Sequence, residues 1–177
     1  MHWKNSECMI TRGIEDSYIT IFKGGLFINI INKNLLKSEL DIIAQQVNCK
    51  GVMGAGLALQ IKIEFPEVFK QYKEFCKEMD YDNLLGRCQI VATNSKDVKY
   101  IGNIFGQASY GRGLRTNYQA LENGLNELKV FAKDNNLSVG LPYGIGCGLA
   151  GGNWDIVLGI IERVFGDYPV TICKLDL

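Results

Sequence analysis

Short runs crowded with β-branched and aromatic residues alternate along this chain with stretches whose apolar positions recur every three or four residues. The two periods predict strands and helices in turn. The strand-like runs are Tyr18–Phe22, Leu26–Ile31, Ile42–Val47, Cys88–Ala92, Tyr100–Phe105, Val139–Pro142 and Val170–Leu175. Between them, Gly56 to Phe65 reads as a helix stopped by Pro66. That proline suits the first position of a second helix, whose apolar face is Val68, Phe69, Tyr72, Phe75, Cys76 and Met79. Thr116-Asn117-Tyr118-Gln119 reads as a capping box opening a helix with Tyr118, Leu121, Leu125, Leu128 and Ala132 inward. A last helix is predicted over about 154–165, with Val157, Ile160, Ile161 and Val164 inward and Gly166 as its C-cap. Such alternation predicts an α/β fold, a mixed and largely parallel sheet with helices on both faces.

Two of the connections stand apart. Gln46-Val47-Asn48-Cys49-Lys50-Gly51-Val52-Met53-Gly54-Ala55-Gly56-Leu57-Ala58 and Pro142-Tyr143-Gly144-Ile145-Gly146-Cys147-Gly148-Leu149-Ala150-Gly151-Gly152 each follow a strand-like run and open into a helical pattern. Each should aim bare backbone N–H groups and a helix N-terminus at one spot, which is a way to hold an anion. Ligands of open α/β sheets bind beyond the carboxyl ends of the strands, so the two loops are expected to face each other there as a clamp for a diphosphate.

The 177 residues are 47% hydrophobic, enough for one domain with one substantial core. Nineteen basic residues balance nineteen acidic ones, which argues against general affinity for nucleic acid or for an anionic membrane and for a discrete small-molecule site. The six cysteines form no CxxC pair and the sole histidine is His2, so no zinc spacing is recognisable and six free thiols in a reducing compartment are expected. No signal-peptide pattern opens the chain, and a cytoplasmic location is the expectation. Residues 1–26 read as an extension that is either an edge strand or a leader, ahead of a domain over 27–177.

At its two loops the chain resembles the macrodomains, the family that binds ADP-ribose. The likeness runs over about residues 27 to 177: Ile28–Leu36 as first core strand, the Asn48–Ala58 loop, Phe65-Pro66, Asn83-Leu84-Leu85-Gly86-Arg87-Cys88, Thr116-Asn117-Tyr118 and Gly144–Trp154. Within the family it is most similar to the ADP-ribose-1''-phosphate phosphatase branch, and the resemblance implies a three-layer α/β/α macrodomain. It implies that Asn48 meets the distal ribose; an asparagine that caps its own turn is the alternative. Gly51, Met53, Gly54, Ala55, Gly56 and Leu57 would line the distal ribose and phosphate. Gly144, Ile145, Gly146, Cys147, Gly148 and Leu149 would cover the diphosphate. Asn34 falls where relatives meet the adenine edge, with a plain turn residue as the other reading. Cys147 lacks a histidine to act as its base and reads as a small buried thiol rather than a nucleophile. Trp154 reads as core. Gln46, Gln107, Arg112 and Arg115 are further polar candidates, the two arginines for a terminal phosphate.

Departures from the family pattern bear on chemistry. Relatives that cleave ADP-ribosyl glutamate through a lysine and an aspartate place the aspartate directly after G-C-G-L, where this chain has Ala150. Some phosphatase relatives carry a histidine three residues before the asparagine, where this chain has Gln45. Catalysis is then expected to rest on oriented water, with Asn48 and Gln45 as the catalytic candidates and no metal or cofactor. The implied activity is hydrolysis of an ADP-ribose derivative, most concretely ADP-ribose 1''-phosphate. The alternatives are an ADP-ribose reader without turnover and an ADP-ribosyl-protein hydrolase, so the expected partner is an ADP-ribose derivative, free or attached to a macromolecule. A dinucleotide fingerprint in Gly146–Gly151 fails on position, because only one helix and one strand follow it.

Overall fold

The computed structural model describes residues 18–23 and 26–175. His2, Cys8, Gly13, Gly24 and Gly25 lie outside the described residues. Among the described residues, seven strands form one sheet: β1 (Tyr18–Lys23), β2 (Leu26–Asn32), β3 (Ile42–Asn48), β4 (Cys88–Ala92), β5 (Tyr100–Gln107), β6 (Val139–Pro142) and β7 (Val170–Lys174). Their order is β1-β2-β7-β6-β3-β5-β4. The pairings β2–β7, β7–β6, β6–β3 and β3–β5 are parallel; only the two edges, β1–β2 and β5–β4, are antiparallel. The helices are α1 (Gly56–Glu64), α2 (Pro66–Glu78), α3 (Tyr81–Leu84), α4 (Tyr118–Asp134) and α5 (Trp154–Val164). Neither α3 nor the 3₁₀ turn Leu35–Lys37 has an apolar period long enough to read from sequence.

Side-chain alternation along β3 separates the layers. Ile42 and Ala44 join Leu121, Leu125 and Leu128 of α4 and Val157 and Ile161 of α5, whereas Ile43 packs with Ile61, Phe65 and Val68 of the α1–α2 pair. A third cluster, Val47, Cys49, Met53, Tyr72, Leu84 and Phe105, sits at the carboxyl end of β3 beneath the first glycine loop. Each fully buried aliphatic side chain of this kind stabilises the fold by about 1.5–3 kcal/mol.

Two helix ends differ from the sequence reading. α4 is capped by Asn117, whose side chain accepts from the Ala120 N–H at 3.0 Å. The capping-box threonine is engaged elsewhere: Thr116 Oγ1 donates to the Gly146 carbonyl at 2.6 Å. α5 ends with Phe165 as C-cap, and Gly166 does not adopt a left-handed backbone. Its start is fixed by Asn153, which accepts from Asp155 and Ile156 N–H groups.

The chain leaves β3 towards β4 and β5 on one side and returns through α4 to β6 on the other. The carboxyl end of β3 is therefore the topological switch point, where an open α/β sheet leaves a crevice.

Candidate functional site

The first loop is braced from within. The ladder with β5 shifts register between Gln46 and Asn48, its last pair is Asn48 opposite Gln107, and the chain turns at Asn48. The Asn48 carboxamide closes that turn: Oδ1 accepts from Lys50 N–H at 3.0 Å and Val52 N–H at 3.4 Å, and Nδ2 donates to the Val52 carbonyl at 2.7 Å. Beneath it, the Tyr72 hydroxyl reaches the Asn48 carbonyl and, at 3.1 Å, Oδ1. Burial pushes the Tyr72 phenol far up, so it stays a protonated donor. Asn48 thus caps its own turn and also lines the cavity above. Past it, Ala55 caps α1 without any side-chain bond, and no acidic residue occupies the first turn. The amides at the α1 N-terminus, opened by Gly56 at φ +56°, are left to bind an external acceptor.

The second loop is strapped from outside. Its backbone forms successive tight turns, Ile145 N–H to Pro142 O, Cys147 N–H to Gly144 O and Gly151 N–H to Gly148 O. Gly146 at φ +72° lies against Gln46, and a Cβ there would come within 2.5 Å of Gln46 Oε1. Gln46 Nε2 donates to Gln107 Oε1 at 2.8 Å and to Thr116 Oγ1 at 3.0 Å, and Thr116 passes the bond on to Gly146 O. On its far side, Arg115 and Thr116 N–H groups both hold the Ala150 carbonyl.

Both loops line a single cavity of about 1000 Å³ beyond the ends of β3, β5 and β6, joined by the β5–α4 loop. Of the residues proposed from sequence, Gln45, Asn48, Gly54, Ala55, Gly56, Leu57, Gly144, Ile145, Gly146, Gly148 and Leu149 line it. Four do not. Met53 is buried core beside Tyr72, and a Cβ on Gly51 would point at Cys76 and Lys73 of α2. Cys147 turns its thiol to the Ile145 carbonyl at 3.4 Å, and burial raises its pKa, so it is no thiolate nucleophile. Asn34 caps the 3₁₀ turn by accepting from Leu36 N–H at 2.9 Å and lies off the cavity wall. Trp154 packs against the α4–α5 core and against the Tyr143 ring, with centroids 4.5 Å apart; Tyr143 is the one that reaches the cavity.

The β5–α4 loop divides its two arginines. Arg112 lines the cavity, whereas Arg115 folds back, its Nε donating to the Arg112 carbonyl at 3.1 Å. Tyr110 and Leu114 of the same loop join the wall; exposed apolar residues in a polar loop were the only sequence signal for them. Among the described residues on the wall, Arg112 is the single charged side chain, with no carboxylate, lysine or histidine. Also among the described residues, no cluster of metal-ligating side chains occurs, five cysteines are free, and no helix is long and apolar enough to cross a membrane.

Among the described residues, the buried side-chain oxygens of Gln45 and Gln46 are left incomplete. Each has an Oε1 without a donor, a vacancy that costs about 1–3 kcal/mol when it stays unfilled.

An α/β sheet with a glycine-walled, cation-bearing crevice at its switch point defines a protein that binds an anionic small molecule. The matches with known proteins make this specific. Residues 45–161 match the Macro domain family model, and the chain belongs to that family. It is 31% identical over 138 residues to a DNA ADP-ribosyl glycohydrolase of Mycobacterium tuberculosis (strain ATCC 25618 / H37Rv), over 77% of this chain and 38% of that protein. The chain therefore spans well under half of that relative. It is 27% identical over 176 residues to an ADP-ribose 1''-phosphate phosphatase of Saccharomyces cerevisiae (strain YJM789), over 84% of this chain and 98% of that one. Among solved structures, the macrodomain of Mycobacterium tuberculosis DarG superposes with a TM-score of 0.72 at 29% identity, covering 87% of this chain and 99% of that one.

Proposed function

We propose that this protein binds ADP-ribose between its two glycine loops and hydrolyses an ADP-ribose derivative, most concretely ADP-ribose 1''-phosphate to ADP-ribose and phosphate. The observation that carries this reading is the make-up of the cavity wall: backbone amides from two loops, neutral carboxamides and one guanidinium. The open α1 N-terminus on one side and the turn amides of the second loop on the other suit a diphosphate, whereas the α5 N-terminus is closed by Asn153 and lies off the wall; Arg112 adds a group with the geometry for a terminal phosphate. Phosphoryl transfer asks for position and charge neutralisation more than for covalent help, which such a wall can supply. Asn48 holds the loop at the distal ribose, and Gln45 and backbone amides orient the water that attacks phosphorus; a non-bridging phosphate oxygen takes the water's proton and passes it to the departing ribose 1''-oxygen as the P–O bond breaks. Hydrolysis of a glutamate ester through an aspartate after G-C-G-L is not available, since Ala150 stands there.

A second reading has its own support. A wall without an ionisable base also suits an ADP-ribose reader that never turns its ligand over. Calorimetry with ADP-ribose, followed by phosphate release from the 1''-phosphate on the same sample, separates the two. Saturable heat with release above background supports the hydrolase; heat without release selects the reader.

A further inference from the structure

The charge that Arg112 brings to the cavity wall is not aimed by its own backbone. Arg112 stands between Gly111 at φ +132° and Gly113 at φ +83°, two residues without a Cβ that turn freely to either sign of φ. What fixes the peptide between them is Arg115. Its Nε donates to the Arg112 carbonyl at 3.1 Å, and its guanidinium lies over Gly111, where a Cβ would come within 3.4 Å of Nη2. The Arg115 N–H in turn holds the Ala150 carbonyl at 2.8 Å. On the same side, Gly113 O sits so close to Gly151 that a Cβ there would meet it at 2.9 Å. The Arg112 peptide is thereby clamped between the second glycine loop and a side chain that itself lies off the cavity wall.

The pairing of charges sets these two arginines apart. Among the described residues, Arg87 and Arg163 each hold a glutamate at 2.9 Å, Glu127 and Glu122, whereas Arg112 and Arg115 form no ion pair. Two unpaired guanidinium groups on one exposed loop repel each other, and the tie between them runs from Arg115 Nε to a neutral carbonyl. Such a loop is complete only with an anion in front of it. We infer that Arg115 is a positioning residue: its Nε–H bond aims Arg112 into the cavity and so sets the preference for a ligand with a terminal phosphate over the same ligand without one. The inference rests on the reading of Arg112 as the group for that phosphate; it does not require turnover.

The experiment compares wild type with R112M, R115M, R115Q and the R112M/R115M double variant. R115Q removes the charge but keeps an amide N–H donor at the chain position of Nε, whereas R115M removes both. Affinity for ADP-ribose is measured by calorimetry. Affinity for ADP-ribose 1''-phosphate is taken from the half-saturating enzyme concentration in single-turnover phosphate release, or by calorimetry where no phosphate is released. Wild type should prefer the phosphorylated ligand by about tenfold or more, and R112M and R115M should each lose most of that preference with ADP-ribose affinity within about twofold. R115Q should keep the preference within about threefold, and the double variant should be no worse than R112M, since Arg115 acts through Arg112. A wild type without the preference overturns the inference, as does an R115M that keeps it or weakens both ligands alike. So does an R115Q that falls as far as R115M, or a double variant in which the two losses add. A wild type that shows the preference but releases no phosphate overturns the hydrolase reading alone.

Discussion

The two glycine loops wall the same cavity by opposite constructions. The first carries its own brace: Asn48 bonds three times within the loop, and Tyr72 supports it from below. The second has no internal side-chain brace comparable to Asn48 and takes its shape from neighbours, through Gln46, Thr116 and the paired N–H groups on Ala150. A self-braced loop depends on one residue, whereas a strapped loop depends on distant ones, so damage to the second should arrive from β3 and the β5–α4 loop.

The largest effect is expected at Gly148, where a Cβ meets nothing within 4 Å and the backbone is not left-handed. Gly148→Glu should therefore fold normally while placing bulk and negative charge against the diphosphate, abolishing ADP-ribose binding by calorimetry with the melting temperature unchanged. Retained affinity in the folded variant would move the site.

Next comes Gly146→Ala, two residues away and opposite in outcome. Its left-handed backbone and the Gln46 oxygen leave no room for a methyl, so stability should drop by about 2–3 kcal/mol in denaturant titration. Equal stability would show that the strap yields freely.

Thr116→Val removes the relay from Gln46 to Gly146 at nearly constant shape and should cost about 1–2 kcal/mol, with weaker ADP-ribose binding. Tyr72→Phe, the matching cut beneath the first loop, should cost about 1 kcal/mol by denaturant titration and leave affinity within a few-fold, since Asn48 still closes its own turn. If Tyr72→Phe weakened binding more than Thr116→Val, the contrast between the loops would be reversed.

The smallest effect concerns acid. Asp41, which pairs with Lys99 at 2.7 Å and bonds Ser138, is held at about 2, below the ordinary carboxylate value. A depressed value stabilises the fold above the ordinary pKa and is lost as pH falls from about 4 to about 2. With solvent screening allowed for, the contribution is about 1 kcal/mol. Asp41→Asn should remove this part of the acid sensitivity, as followed by thermal melts across that range.

Much of this architecture was legible in the sequence because hydrophobic period and proline and glycine punctuation act locally. The strands Cys88–Ala92 and Val139–Pro142, and the start of α2 at Pro66, needed only such signals. Thr116 was misread because its hydroxyl serves Gly146, thirty residues away, and Asn117 beside it is an equally good cap. Met53 and Cys147 sit inside glycine motifs yet point into the core, since side-chain direction within a loop has no period to read. Arg112 was legible as a candidate, but Tyr110 and Leu114 beside it were not: they reach the cavity because the β5–α4 loop crosses the switch point, a consequence of strand order rather than of local pattern.

A crystal structure with ADP-ribose bound would test the clamp most directly. The account predicts a diphosphate held on one side by amides at the α1 N-terminus around Gly56 and on the other by the amides of Gly146 and Gly148. A diphosphate touching only one of the two loops, or lying outside the crevice at the end of β3, would contradict it.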